Sequence, residues 1–194
     1  MKNKTMNHGG GYGRFFAMIG TSAVLMYLLM FLNIDRADHV VLSEIRTYMT
    51  LIMAAVMTVV MLLFMLNMYK SRRANILILS SAIGLFIVSV WLVRSQETVQ
   101  DESWMTSMIP HHSVAVMTSS RAEFSDYRVA ELAAEIVEVQ EHEIALMEWL
   151  LADIDANGPA RTPEEAERRA APDEFPGVPK AESIIGDIYV QPGE

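Results

Sequence analysis

Residues Thr47 to Tyr69 read TYMTLIMAAVMTVVMLLFMLNMY, an apolar run without a single charge. A helix rises about 1.5 Å per residue, so roughly 20 such residues cross the hydrocarbon layer of a bilayer. Two further runs flank it, Phe15 to Asn33 and Asn75 to Val93, the latter ending at Arg94. One run alone reads equally well as a buried core helix. Three in succession read as a membrane domain over residues 15–94. The first run is too long for the apolar region of a cleaved signal peptide, and no small-x-small cleavage site follows it. Within the central run Met49, Met53, Met57, Met61 and Met65 recur at every fourth position, followed by Met68. A four-residue step advances about 40° around a helix, so this is a slowly winding stripe. Methionine as a flexible filler between helices accounts for it better than a sulfur ladder for Cu(I).

Charge sets an expected orientation. Lys2, Lys4 and Arg14 lie in the N-terminal tail, residues 1–14, and Lys70, Arg72 and Arg73 crowd the short second connection. The first connection mixes Asp35, Arg36, Asp38, Glu44 and Arg46. The Lys/Arg bias places the N-terminus and second connection in the cytoplasm, and the first connection and everything after Val93 outside the inner membrane. Tyr48, Tyr69 and Trp91 sit near span ends, where interfacial aromatics collect. His8 and His39 are single histidines near the membrane surfaces and receive no role from the sequence.

The chain is 52% apolar yet carries a formal net charge of −9, with the acid concentrated in its second half. A negative soluble part argues against nucleic acid, whose recognition calls for a basic patch. The absence of cysteine rules out disulfides, thiolate metal sites and a cysteine nucleophile.

The soluble half carries the chemistry. Met105-Thr106-Ser107-Met108-Ile109-Pro110-His111-His112 places two thioethers and two imidazoles in one short stretch. With Met108 at zero on a helical wheel, Met105 and His112 fall at roughly +60° and +40°, and His111 at roughly −60°. Thioether sulfur selects Cu(I), and imidazole serves Cu, Zn, Ni and Fe. The face is either a soft-metal half-site or a helix start with core methionine and ordinary histidines. Pro110 either kinks this helix or marks its true first turn.

A second helix is expected from about Tyr127, capped by Ser125 or Asp126, to a stop at Asn157-Gly158-Pro159. With Gln140 at zero, Ile136, Glu143, Ile144, Met147 and Leu151 fall within about 60° of it, and Leu132, Val139, Leu146 and Leu150 widen the stripe. Gln140 and Glu143 thus sit in an apolar stripe, where polar groups need a partner or a ligand. His142 falls beside Glu138 and Glu141 on the solvated side and is not expected to ligate. A hairpin over residues 95–156 cannot cover so wide a stripe alone. A second copy would, as a homodimer or higher homo-oligomer forming a four-helix bundle. Residues 157–194, rich in Pro and Glu, read as a mostly disordered tail. The exception is the apolar Ile184–Val190, a strand-like or docking segment.

Met108, Ile109, His111 and His112, followed by Gln140, Glu143, Ile144 and Met147, together resemble the DUF305 family. The layout of three spans before the domain is similar to its membrane-bound branch. The resemblance implies a ferritin-like helical bundle, and for some relatives periplasmic copper and silver binding of the CopM type. Those copper-binding relatives carry a methionine six residues after the second histidine. Here that position is Thr118, and Met117 stands one residue earlier.

The sequence therefore predicts an all-α chain: three transmembrane helices, then an extracytoplasmic helical hairpin. Its leading function is membrane-anchored Cu(I) or Ag(I) binding in metal homeostasis or tolerance. Met108, His111, His112 and Met147 are the expected ligands, with Met105 as a substitute sulfur and Glu143 as ligand or orienting acceptor. The alternative is a structural module in which the histidines, Gln140 and Glu143 form a buried hydrogen-bond network. Enzymatic readings fare worse. A di-iron oxidase needs paired Glu-x-x-His motifs, which are lacking, and Ser113 beside His112 is adjacent in sequence rather than facing it.

Overall fold

The computed structural model describes residues 11–190. Lys2, Lys4 and His8 of the N-terminal tail lie outside the described residues. The described chain is all-helical, with α1 (Tyr12–Leu29), α2 (Glu44–Phe64), α3 (Arg72–Ser95), α4 (Asp101–Arg121), α5 (Tyr127–Asn157), α6 (Pro163–Arg168) and α7 (Ala181–Ile188). It divides into two compact units.

The first unit holds α1, α2 and α3, with α2 packed on both neighbours. At 18, 21 and 24 residues, all three are long and apolar enough to cross a membrane. Only 11–22% of each apolar window is buried inside the unit. Leu25, Leu29, Val56, Phe64, Leu77 and Ile87 face outward and exposed. Helices apolar on every side are at rest only in an apolar solvent, so this unit associates with membrane. Its small core is Phe15, Ile19, Ala54, Leu62, Tyr69 and Ile78. The Tyr69 ring meets those of Tyr12 and Phe15 at 5.0 and 5.3 Å. Met57, Met61 and Met65 pack against that core, so half of the methionine stripe is packing filler.

The second unit holds α4 to α7 together with residues 31–43, the connection between α1 and α2. Helix α4 starts at Asp101 and runs through Pro110 without interruption, so Pro110 is no helix start. Asp126 caps α5, its Oδ1 accepting from the Arg128 amide at 2.9 Å. Gly158, at φ 74°, ends the helix after Asn157.

Helices α4 and α5 form the expected hairpin, but the buried arc of α5 is rotated from the expected stripe. It consists of Ala130, Ala133, Ala134, Val137, Glu141, Ile144 and Met147. The alanines let α4 approach closely, so the larger residues turn away: Leu132, Val139 and Val129 are 56%, 51% and 45% exposed. Gln140, expected at the centre of the stripe, lies on its edge.

Of the segment 157–194, expected to be mostly disordered, the described residues up to 190 contain α6 and α7. Ile184 and Ile188 of α7 are buried in the core formed by Met105, Ile109, Val137, Ile144 and Met147. A main-chain bridge fixes the end of α7: the Phe124 amide donates to the Ile188 carbonyl and the Val190 amide to the Phe124 carbonyl, each at 2.9 Å. The apolar run Ile184–Val190 is thus a helix ending in one strand-like pair. Helix α7 has no side-chain cap of its own. Glu138 of α5 supplies one, accepting from the Ala181 amide at 2.8 Å. That bond, with Lys180 beside it, holds the Glu138 carboxyl below the usual carboxylate range.

Candidate functional site: the Met/His seam of the helical hairpin

The α4/α5 seam distributes the expected ligands by depth. Met105 and Met147 are 4% and 5% exposed and belong to one core cluster, with Met108 packed against it from the edge. One turn on from Met108, His112 faces Glu143 across the seam, Nδ1 lying 3.0 Å from Oε2. Positions i and i+4 share a helix face, so Met108 and His112 are neighbours. His111 is exposed, and its ring stands 6.0 Å from that of His112, edge to face. Gln140 Nε2 donates to the same Glu143 oxygen at 3.3 Å. The structure therefore brings together Met108, His112, Glu143 and Gln140 at the seam. Met105 and Met147 lie beneath it, and His111 turns outward. Thr118 is exposed on α4 and adds no sulfur.

Burial pushes the His112 imidazole below its ordinary pKa, and neighbouring His111 pushes the same way, while Glu143 opposes both. The ring is therefore held neutral at pH 7, the form that ligates metals. Its Nδ1 is buried without a well-directed hydrogen bond, although Glu143 is at ion-pair distance. A carboxylate on one imidazole nitrogen orients the ring and leaves the other nitrogen for a ligand. Among the described residues, no group of three or more His, Asp or Glu gathers as a metal cage. The seam offers a thioether and an imidazole beside the Glu143 carboxylate, and thioether with imidazole is a donor pair that suits a soft ion.

Sequence reasoning missed a second polar cluster. His39 and Ser113 are both fully buried, with His39 Nδ1 and Ser113 Oγ 2.8 Å apart. The Asp35 amide also donates to Ser113 Oγ at 2.8 Å. Arg36 Nη2 lies 2.9 Å from His39 Nε2. A guanidinium only donates, so Nε2 accepts, Nδ1 carries the proton and Ser113 Oγ receives it. Arg36 reaches buried Glu141 at 3.5 Å, and Arg121 pairs with Asp35 at 2.9 Å. Ser113 Oγ accepts two N–H bonds in a site sealed from solvent, so the Ser–His pair is a clasp holding residues 31–43 on the hairpin. Glu141, expected on the solvated side, is covered because this strap arrives from between α1 and α2. The adjacent Asp38-His39 pair was the available signal, but nothing local says where it docks. His142 is half-buried, its ring edge-to-face with Phe175 at 5.4 Å.

Residues 92–173 match the family model described as "Domain of unknown function (DUF305)". The match begins near the end of α3 and runs through α4, α5 and α6. Uncharacterized protein L153 of Acanthamoeba polyphaga mimivirus is 30% identical over 106 residues, covering 54% of this chain and 68% of that protein. No solved structure matches the chain. With the histidine pair on α4 and Gln140, Glu143 and Met147 on α5, this chain belongs to the DUF305 family.

Proposed function

We propose that the protein is a membrane-anchored, extracytoplasmic binder of a soft metal ion, Cu(I) or Ag(I), serving metal homeostasis or tolerance. The observation that carries this reading is the seam itself. Burial holds His112 neutral, with the Glu143 carboxylate 3.0 Å from its Nδ1, the thioether of Met108 one turn away and His111 alongside. Met108, His112 and His111 would hold the ion, Glu143 orienting His112 or ligating directly, with Met105 and Met147 as sulfurs beneath. A bound ion would supply soft Lewis acidity; the chain's own residues position and shield it.

One hairpin offers only part of a coordination sphere. The exposed Leu132 and Val139 on α5 support pairing with a second copy into a ferritin-like four-helix bundle, which would bring two such seams together. Such a bundle, with copper or silver held in it, would resemble the CopM-type proteins. The orientation follows from charge: N-terminus and Lys70-Ser71-Arg72-Arg73 inside, hairpin in the periplasm or outside the cell.

The test is a Cu(I) titration of the full chain in detergent under reducing conditions, against a chromogenic chelator. The reading expects about one ion per chain, lost in the Met108→Leu, His111→Ala, His112→Ala variant. Equal binding by that variant would reject it. The second reading, a metal-free interaction module, is favoured by the Gln140–Glu143–His112 contacts, which already form a connected network. It expects no binding in either protein.

A further inference from the structure

In the first unit a cavity of about 540 Å³ opens where α2 ends and α3 begins. Its walls include Leu63, Leu66 and Ile76, and its rim carries Lys70 and Arg72. The rim is braced. Tyr12 of α1 donates its hydroxyl to Asn75 Oδ1 at 2.9 Å, and Asn75 Nδ2 donates to the Tyr69 carbonyl at 2.7 Å. These bonds bring the start of α1, with Arg14, to the same end as Lys70, Arg72 and Arg73.

The charge at this end has no counterpart within the unit. From residue 47 to residue 96 the sequence contains no Asp or Glu, and α1 contains none. The carboxylates of this unit's described residues are Glu44, at the start of α2, and Glu97, past the end of α3. Both stand a helix length, about 30 Å, from Lys70 and Arg72. The cavity thus combines apolar walls with cations at its mouth, and in a bilayer spanned by α2 and α3 those cations would stand at the level of the headgroups.

We propose that this cavity binds one anionic phospholipid, its phosphate between Lys70 and Arg72 and an acyl chain along Leu63, Leu66 and Ile76. Charge complementarity chooses the occupant: a zwitterionic lipid brings a third cation to a site that already holds two. The proposal rests on α2 and α3 lying in a bilayer and is independent of metal binding and of which way the protein faces.

The experiment reconstitutes the full chain in nanodiscs of phosphatidylcholine with increasing phosphatidylglycerol and reads thermal stability and lipid retained by native mass spectrometry. The wild type should retain phosphatidylglycerol selectively. The Lys70→Gln, Arg72→Gln variant should lose roughly thirty-fold of that preference. The charge-matched Arg14→Gln, Arg73→Gln variant, altered outside the cavity, should keep it, and unchanged helical circular dichroism shows that both are folded. Equal loss in the two variants would mean diffuse attraction and overturn the site, as would the absence of a preference in the wild type. The same stabilisation by inorganic phosphate in lipid-neutral discs would overturn the lipid as ligand. Failure of the wild type to enter discs would refute membrane residence itself, a separate result.

Discussion

His39 Nδ1 lies 2.8 Å from Ser113 Oγ, joining residues 74 positions apart in sequence and both fully buried. This contact makes the connection between the first two helices part of the helical hairpin's unit. Ser113→Ala removes one oxygen that receives two N–H groups, from His39 and from Asp35. Each buried donor left without an acceptor costs about 1–3 kcal/mol, so the variant should lose about 2–6 kcal/mol in denaturant unfolding. Hydrogen exchange at the Asp35 amide should accelerate with it. Unchanged exchange there would show that the strap is held by something else. Arg36→Gln should cost about 1–3 kcal/mol, because it leaves Nε2 of the fully buried His39 without its donor.

The docking of α7 predicts a second effect. Ile188 is 1% exposed in the hairpin's core. Ile188→Ala should destabilise by about 2–4 kcal/mol, the usual range for deleting a buried branched side chain. Limited proteolysis should then cut between residues 158 and 180 faster than in the wild type. Equal stability would mean that residues 181–190 contribute nothing to the core.

Folding lowers the His112 pKa, chiefly through burial, with His111 adding to the effect and Glu143 opposing it. The unfolded chain therefore binds more protons between the lowered folded value and the ordinary value of about 6.5. This contribution to stability is complete above that ordinary value and is lost as pH falls through the folded value. His112→Gln should flatten the stability curve in that window. The measurement is unfolding free energy against pH for both proteins, and a constant difference between them would contradict the shift.

Pairing of hairpins makes its own prediction. Leu132 and Val139 are more than half exposed on α5, two turns apart on one face. Leu132→Glu with Val139→Glu should convert a dimer to a monomer in light scattering, while changing monomer stability by no more than about 0.5 kcal/mol. A wild type that is already monomeric at micromolar concentration would remove the four-helix bundle from the account.

Much of the fold was legible because it rests on local signals. Long charge-free runs gave α1 to α3, and Asp126 and Asn157-Gly158 gave the ends of α5. What was not legible depends on distant partners. The apolar stripe of α5 was centred on Gln140 because leucine and valine outweigh alanine in any hydropathy pattern. Alanine is what the close approach of α4 requires, so Ala130, Ala133 and Ala134 face inward and Leu132 and Val139 do not. Glu141 was read as solvated and His39 received no role, because their partners Arg36 and Ser113 lie 105 and 74 positions away in sequence. The tail's composition suggested disorder, yet Ile184 and Ile188 at i and i+4 form one apolar stripe for α5 to bury, and Glu138 caps the helix that carries them. At the seam, the spacing of Met108 and His112 and the Gln140–Glu143 pair could be read directly. The outward turn of His111 depends on where α5 lies and could not.

The central claim is that the Met108–His112 seam holds a soft metal ion. The most direct measurement is the melting temperature of the full chain in detergent with saturating Cu(I) under reducing conditions. A ligand that binds only the folded form must raise it, by about 2.7 kcal/mol of stability at a hundredfold excess over Kd. The account predicts a rise in the wild type that disappears in the Met108→Leu, His112→Ala variant. An unchanged melting temperature in the wild type at saturating Cu(I) would contradict it.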